Sequence, residues 1–397
     1  MHCRFDSQRW GCGASAFGVA AVLAVFAALV ACSSTPVTPR AAGPGSGPWQ
    51  FGTPEEHGLD PRALAAAAAA VGQIAGRQGI VFVRNGVIVH EQYWSSDYFR
   101  AEPSHRNVSF SAGKSWGAAL VGVAVTQGRI AVEDHASKYV APEMSGLNAN
   151  VTIEQLLTMT SGGTLIVKPS SKRPRRLDDT SPRGPGVEYS RTSEPERGAP
   201  PGYGTTLQPG SVFYYDGAPA DHLAGIVAAA VGRTSHAYIA EQLLKPLGVE
   251  HFAYQREGVD SQGNIRIGGS IELSVRDMAR LGQLYLNRGR WGDRQLIDAN
   301  YIARSTTPSL RNPSYGYLWW LNREGRIPTA PRSMYYAAGA FGQYVFVLPE
   351  HDMVIATMGF DPAGRAAQDP SLLWQALSAA LPHVRPASAA STARTTT

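Results

Sequence analysis

The chain has three cysteines in 397 residues, Cys3, Cys12 and Cys32, and all of them fall within the first 32 positions. Beyond Cys32 there is no thiol, so that part can form no disulfide, no thiolate metal site and no cysteine nucleophile. The ten histidines show neither H-E-x-x-H nor a clustered H-x-H-x-D-H pattern, so metal-assisted hydrolysis is not expected. A phosphate-binding G-x-x-x-x-G-K-S loop is missing too, because the first glycine required ahead of Gly113-Lys114-Ser115 falls on Val108. No G-x-S-x-G elbow occurs, which removes the foothold of the Ser-His-Asp hydrolases. Charge is sparse at 17%, and the net +5 is too mild to argue nucleic-acid binding. What remains is a globular composition, 44% hydrophobic, sufficient for one large core or two modest ones.

Arg4 and Arg9 precede an apolar run from Ala16 to Val30, the pattern of a secretory signal. A transmembrane helix is the alternative; it needs about 20 apolar residues and leaves Cys32 without a role. Leu29-Val30-Ala31-Cys32 resembles a bacterial lipobox, which implies cleavage ahead of Cys32 and lipid on its sulfur. The expectation is a signal peptide over 1–32, a flexible Pro-, Gly- and Ser-rich tether over 33–50, and anchorage to a membrane of the cell envelope through Cys32. Ser33 resembles outer-membrane sorting, on the periplasmic side, if the host has two membranes. Residues 385–397 read as a disordered tail.

Between these ends the elements are readable. Asp60 and Pro61 start an alanine-rich helix to Val71. Ile80–Val83 and Val87–Tyr93 form a hairpin around Arg84-Asn85-Gly86. Ser111 to Thr126 is a small-residue helix, and Thr152-Ile-Glu-Gln155 has capping-box spacing for another that stops at Ser161-Gly162-Gly163. Residues 164–210, basic and rich in Pro and Gly, read as a long surface loop, either simply solvated or attracted to anionic lipid or cell-wall polymer. Helices are expected at Asp221–Val231, Ser235–Leu244 and from Ser274 to Asn287, strands at Tyr315–Leu321, Val345–Leu348 and Met353–Met358, and a last helix at Ser371–Ala380. The fold class is α/β of the α+β type: an antiparallel sheet built from both chain ends, flanked by helices, with a mostly helical region at about 110–265 inserted into a domain spanning 51–384.

Ser111-Ala112-Gly113-Lys114 sets a serine and a lysine one turn apart at a helix start. The helix dipole favours negative charge there, and an ammonium beside a hydroxyl lowers the cost of removing its proton. With Val83-Arg-Asn-Gly-Val-Ile-Val-His, Ser109-Phe-Ser-Ala-Gly-Lys-Ser, Leu156-Leu-Thr-Met-Thr-Ser-Gly-Gly, Pro246-Leu-Gly, Gly268-Gly269, Tyr315-Gly-Tyr-Leu-Trp-Trp and Gly339-Ala-Phe-Gly-Gln in this order, the chain resembles the serine β-lactamase-like family from roughly Gly58 to Pro382. That family includes class C β-lactamases, D,D-peptidases, family VIII carboxylesterases and 6-aminohexanoate-dimer hydrolases. The resemblance implies Ser111 as nucleophile and Tyr215 as general base, its phenolate stabilised by Lys114, with no cofactor. Tyr214 is the alternative in register. The second motif, Tyr-x-Asn or Tyr-x-Ser, matches Tyr215-Asp216-Gly217, where Gly217 lacks the polar side chain. The third, Lys or His then Thr or Ser then Gly, matches Ala337-Ala338-Gly339 and keeps only Gly339. The amides of Ser111 and Ala340 would form the oxyanion hole. Losing the cation of the third motif disfavours substrates that carry a carboxylate, so small esters or simple amides are expected ahead of β-lactams or D-Ala-D-Ala peptides. Trp319, Trp320, Tyr336 and Phe341 wall an apolar pocket or belong to the core. A binding module without catalysis is the remaining alternative. These motifs say nothing of oligomeric state.

Overall fold

A computed structural model describes residues 43–95, 100, 102–145, 147–169, 187–191, 204–215, 218–249, 251–254, 264–269, 271–360, 369–378 and 380–381. Helix α1 (Pro61–Gly72) starts where the side chain of Asp60 accepts from the amides of Arg62 and Ala63, two donors that the helix itself cannot satisfy. Its apolar face, Leu64, Ala68 and Val71, is fully buried. Strands β1 (Arg77–Arg84) and β2 (Val87–Tyr93) follow as expected, and Asn85 (φ 51°) and Gly86 (φ 80°) take the left-handed angles of the tight turn between them.

The rest of this sheet comes from the other end of the chain: β3 (Trp320–Leu321), β4 (Tyr335–Gly339), β5 (Gln343–Leu348) and β6 (Met353–Gly359). The order is β3-β4-β5-β6-β1-β2, all antiparallel, with β1 and β6 joining the two chain ends in the register Ile80↔Thr357 to Arg84↔Met353. Strand alternation splits the apolar residues between two cores. Ile80, Phe82, Phe346 and Ile355 face α1 and the final helix, Pro370–Ser378. Val81, Val83, Val345 and Val354 face the larger core, which holds helix α2 (Gly113–Thr126), helix α3 (Ala218–Val231) and helix α4 (Val275–Leu286). Glycines set the closeness of this packing: a Cβ on Gly282 of α4 would meet Val354 at 2.6 Å, and one on Gly117 of α2 would meet Ile267 at 1.9 Å. Among the described residues no helix is long and apolar enough to cross a membrane.

Several expectations are corrected. Part of the expected tether, residues 43–50, packs on the domain: Trp49 is 6% exposed, its indole donates to Arg276 O at 3.1 Å, Trp291 Nε1 donates to Gly45 O at 2.6 Å, and Arg280 donates to Gly47 O at 3.1 Å. The Pro and Gly content that signals a flexible linker here lets backbone lie flat against indole rings. The expected 164–210 loop contains an antiparallel three-stranded sheet, Val187–Arg191, Gly163–Pro169 and Gly204–Leu207 in that order. The run Thr164-Leu-Ile-Val167 is a β-forming segment that the neighbouring basic residues obscure. The helix begun by the Thr152 capping box ends at Leu157, because Met159 turns left-handed (φ 57°). The expected Tyr315–Leu321 strand shrinks to Trp320–Leu321, since Leu318 is left-handed (φ 56°) and Gly316 N bonds Trp319 O at 2.9 Å. Cys32, the expected signal peptide and the 385–397 tail lie outside the described residues.

Removing the α1 cap should cost about 1 kcal/mol. Asp60→Ala is therefore expected to lower the unfolding free energy by that amount, read as a lower denaturation midpoint with an unchanged slope, and an unaltered midpoint would show that the cap contributes nothing.

Candidate active site

Ser111 stands in a single 3₁₀ turn, Phe110–Ala112, that runs directly into α2. Ser109 fastens the turn on one side by donating its amide to Ile271 O at 2.8 Å, and its own carbonyl accepts from Ala112 N at 3.1 Å. Phe110 sits at φ 48°, a conformation that costs a non-glycine residue about 1 kcal/mol or more and persists only where the surroundings impose it. One helical turn on, Lys114 is 3% exposed, and its Nζ donates to Ser111 Oγ at 3.1 Å and to Gly268 O at 2.8 Å. Gly268 is held in turn, its amide donating to Asp221 Oδ1 of α3 at 2.7 Å. The neighbouring Gly269 approaches so closely that a Cβ there would lie 2.6 Å from the carbonyl carbon of Phe110. A buried ammonium is tolerable because oxygen acceptors replace its water.

Tyr215 reaches the same hydroxyl from a third segment. The left-handed Met159 turn aims two carbonyls at the approaching chain: Tyr214 N donates to Met159 O at 2.8 Å and Gly210 N to Thr160 O at 2.7 Å. The Tyr215 phenol lies near enough to the Ser111 hydroxyl to be influenced by it, and its ring stacks on Trp320 (centroids 5.5 Å, 28°) and meets Tyr315 edge-on at 6.0 Å. Lys114 Nζ lies 5.1 Å from the centre of the Tyr215 ring. Burial pushes the phenol above the ordinary tyrosine range, and the Ser111 hydroxyl acts in the opposite direction. Of the two adjacent tyrosines, Tyr215 is the one whose ring lies beside Lys114 and whose phenol feels Ser111, while Tyr214 is packed in the core.

A family model described as Beta-lactamase matches residues 63–377. The chain belongs to the beta-lactamase family. A 201-residue stretch is 25% identical to an Escherichia coli (strain K12) protein provisionally named a D-alanyl-D-alanine carboxypeptidase, over 39% of this chain and 46% of that protein, so the match spans less than half of this relative. The fold superposes on a provisionally named 6-aminohexanoate-dimer hydrolase from Bacillus anthracis with a TM-score of 0.55 at 19% identity, covering 76% of this chain and 78% of the other. It also superposes on EstCE1, a hydrolase with promiscuous acyltransferase activity, with a TM-score of 0.58 at 13% identity, covering 80% and 98%. Those two likenesses are of fold.

Against the beta-lactamase pattern, β4 supplies the fourth side of the site. Ala337 is buried on the α2 side of the sheet and Ala338 is half-buried on the other, so neither brings a polar group. Gly339 is constrained by space: a Cβ would stand 2.4 Å from Ser109 O and 3.0 Å from Ala112 N. That approach draws the strand end, and Ala340 after it, against the Ser111 turn. Phe341 follows at φ 60°, half-buried, packed on Phe110 at 5.0 Å between ring centres and on Phe360 at 5.4 Å. Of the four aromatics singled out in the sequence, Trp319 and Tyr336 are fully buried core, whereas Trp320 and Phe341 are half-buried at the cleft. Gly217 lies outside the described residues. Among the described residues no group of three His, Cys, Asp or Glu side chains could hold a metal.

Sequence reasoning did not single out Asp221 or Arg77. Arg77 opens β1, is 4% exposed, and its guanidinium donates to Gly342 O at 3.0 Å and to Phe341 O. Burial lowers its pKa to about 10, which still leaves a cation at neutral pH. An arginine at a strand start carries no local signal of such a role; the run of Gly339, Gly342 and Gly359 around a charged residue is visible only once the strands are paired.

Proposed function

We propose that the protein is a serine hydrolase that cleaves esters or simple amides through an acyl-enzyme on Ser111. The observation that carries the reading is the Lys114 ammonium bonded to the Ser111 hydroxyl with the Tyr215 ring beside it. In acylation the Ser111 Oγ forms a bond to the substrate carbonyl carbon while its proton passes to the Tyr215 oxygen as phenolate. The tetrahedral oxyanion is received by the amides of Ser111 and Ala340, and the proton is handed on to the departing alcohol or amine as the bond to it breaks. Water, deprotonated by the same tyrosine, then attacks the acyl carbon, and Ser111 leaves with the proton restored.

Lys114 contributes positive charge beside Ser111 and 5.1 Å from the centre of the Tyr215 ring, where it would stabilise a phenolate. Ala337 and Ala338 offer no cation to a substrate carboxylate, which favours neutral esters or amides over β-lactams. The names carried by the similar proteins, a D-alanyl-D-alanine carboxypeptidase, a 6-aminohexanoate-dimer hydrolase and a hydrolase with promiscuous acyltransferase activity, are compatible with this reading. The half-buried Phe110, Phe341 and Phe360 favour an apolar substituent near the reacting carbon. We further propose that the enzyme works at the envelope, anchored by lipid on Cys32; the lipobox and the short span between Cys32 and the packed residues from Gly43 support this.

Three outcomes test these proposals. A fluorophosphonate is expected to label the wild-type protein at Ser111 and to leave Ser111→Ala unlabelled, with p-nitrophenyl ester hydrolysis falling ~10⁴-fold or more; labelling that persists in the variant defeats the assignment, and efficient capture of a fluorescent penicillin moves the substrate class to β-lactams. Because burial raises the Tyr215 pKa, the phenolate fraction increases about tenfold per pH unit below that pKa, so kcat/KM should climb through pH 7 to 10 without a plateau and Tyr215→Phe should lose at least ~10²-fold. Retention of the alkaline limb and of the rate in Tyr215→Phe would hand the base role to Lys114. Metabolic labelling with a fatty acid is expected in the wild type and absent in Cys32→Ala, which should appear in the soluble fraction; acylation of the variant contradicts the anchor.

A further inference from the structure

The turn Ala340–Gly342 carries the second amide of the proposed oxyanion hole and the Phe341 ring at the cleft, yet its backbone is left-handed at a bulky residue, Phe341 at φ 60°. Such a conformation costs about 1–3 kcal/mol and needs something to impose it. The only charged side chain that the structure aims at this turn from β1 is Arg77. Its two terminal nitrogens grip two successive carbonyls, those of Phe341 and Gly342. Successive carbonyls in an extended strand point to opposite sides, so one guanidinium can hold both only when the chain turns as it does here.

The surroundings are built around that guanidinium. A Cβ on Gly342 would lie 2.1 Å from one terminal nitrogen of Arg77, and a Cβ on Gly359 would lie 2.1 Å from the other. Gly342 has φ 81° in addition, so it serves both the turn and the slot. Gly359 is the register partner of Arg77 across β1 and β6, where the ladder slips by one residue between Arg77 and Gly79, which tips the side chain toward the turn. Thr357 Oγ1 also donates to Gly342 O, at 2.9 Å, and Gln343 Nε2 donates to Gly359 O, which fixes the strand beside the slot. Both of these hydrogen bonds of the Arg77 guanidinium go to backbone carbonyls. Charge-assisted hydrogen bonds are about twice as strong as neutral ones, and removing the guanidinium takes the charged donor from both carbonyls, leaving Gly342 O with Thr357 Oγ1.

We infer that Arg77 is a positioning residue for acyl transfer: its guanidinium locks the Phe341 turn so that the Ala340 amide is aimed at the oxyanion and the Phe341 ring stands against Phe110. The inference rests on the proposed serine hydrolase reading and adds a residue that acts through backbone, without touching substrate. Losing one oxyanion donor typically costs 10²–10³-fold in kcat, and a donor that is misaimed but present should cost less.

The test measures ester hydrolysis, boronic acid inhibition and thermal midpoint for the wild type, Arg77→Met, Arg77→Lys and Arg77→Ala, with Leu373→Ala in the opposite core as a control for lost stability alone. Expected are a kcat lowered roughly 10- to 100-fold in Arg77→Met with KM within threefold, boronate affinity lowered in parallel with kcat, an intermediate rate in Arg77→Lys, and partial recovery of Arg77→Ala by methylguanidinium. Leu373→Ala should lose stability and keep its kcat. Should Arg77→Met fail to fold, the Arg77→Lys rate and the methylguanidinium rescue decide. A kcat unchanged in any folded Arg77 variant, or a loss matched by Leu373→Ala at equal stability, overturns the inference while leaving the hydrolase reading intact. If wild-type protein is neither labelled at Ser111 nor hydrolyses esters, it is the hydrolase reading that has failed.

Discussion

A buried ammonium is the constraint from which the site is built. Lys114 carries its charge into a region almost closed to solvent, and a lone ion there would cost several kcal/mol. Three segments distant in sequence converge to prevent that: the Ser111 turn ahead of α2, the Gly268 carbonyl pinned by Asp221 of α3, and the Tyr215 ring. Ser111 and Tyr215 are also parts of the proposed chemistry. The solvation of Lys114 and the assembly of the centre are therefore one problem with one solution.

Close approach of backbone to backbone is the second requirement, and glycine meets it at the places that matter. Gly339 lets β4 press on the Ser111 turn, Gly269 lets its loop touch Phe110, and Gly342 with Gly359 opens the slot for Arg77. Among the described residues, three of the seven left-handed non-glycine residues lie around the same cleft: Phe110 immediately before the serine, Met159 under the Tyr214–Tyr215 segment, and Phe341 immediately after Ala340. Strain gathers there because each of these residues turns the chain sharply while keeping a large side chain in place. The two-sided sheet, with a complete hydrophobic core on each face, is what can sustain such local costs.

Local signals in the sequence proved reliable where the physics is local. Asp60 caps α1, Thr152 with Gln155 and Ser274 with Asp277 form capping boxes, and Asn85-Gly86 turns the hairpin, because each depends on groups within four residues of one another. Composition misled where packing overrode it. Gly43 to Gln50 resembles a linker but docks through the indoles of Trp49 and Trp291 and the guanidinium of Arg280, and the basic stretch after Gly163 hides strands that pair with one another. Of the four candidate cleft aromatics, burial assigned Trp319 and Tyr336 to the core, a distinction that strand alternation alone could not draw while the neighbouring strands were unplaced.

The sequence by itself determined the family frame: the Ser111–Lys114 spacing, the order of the surrounding motifs, the sheet drawn from both chain ends and the loss of the cationic third motif at Ala337. These are matters of residue type, spacing and periodicity, which are written along the chain. Only the tertiary structure decided which tyrosine meets the serine, that Gly268 and Asp221 complete the environment of Lys114, and that Arg77 grips the turn beyond Ala340. Those contacts join residues 47 to 265 positions apart in sequence, and their distances are set by helix packing and strand register. No local pattern encodes them, because the free energy that holds each one comes from the whole core around it.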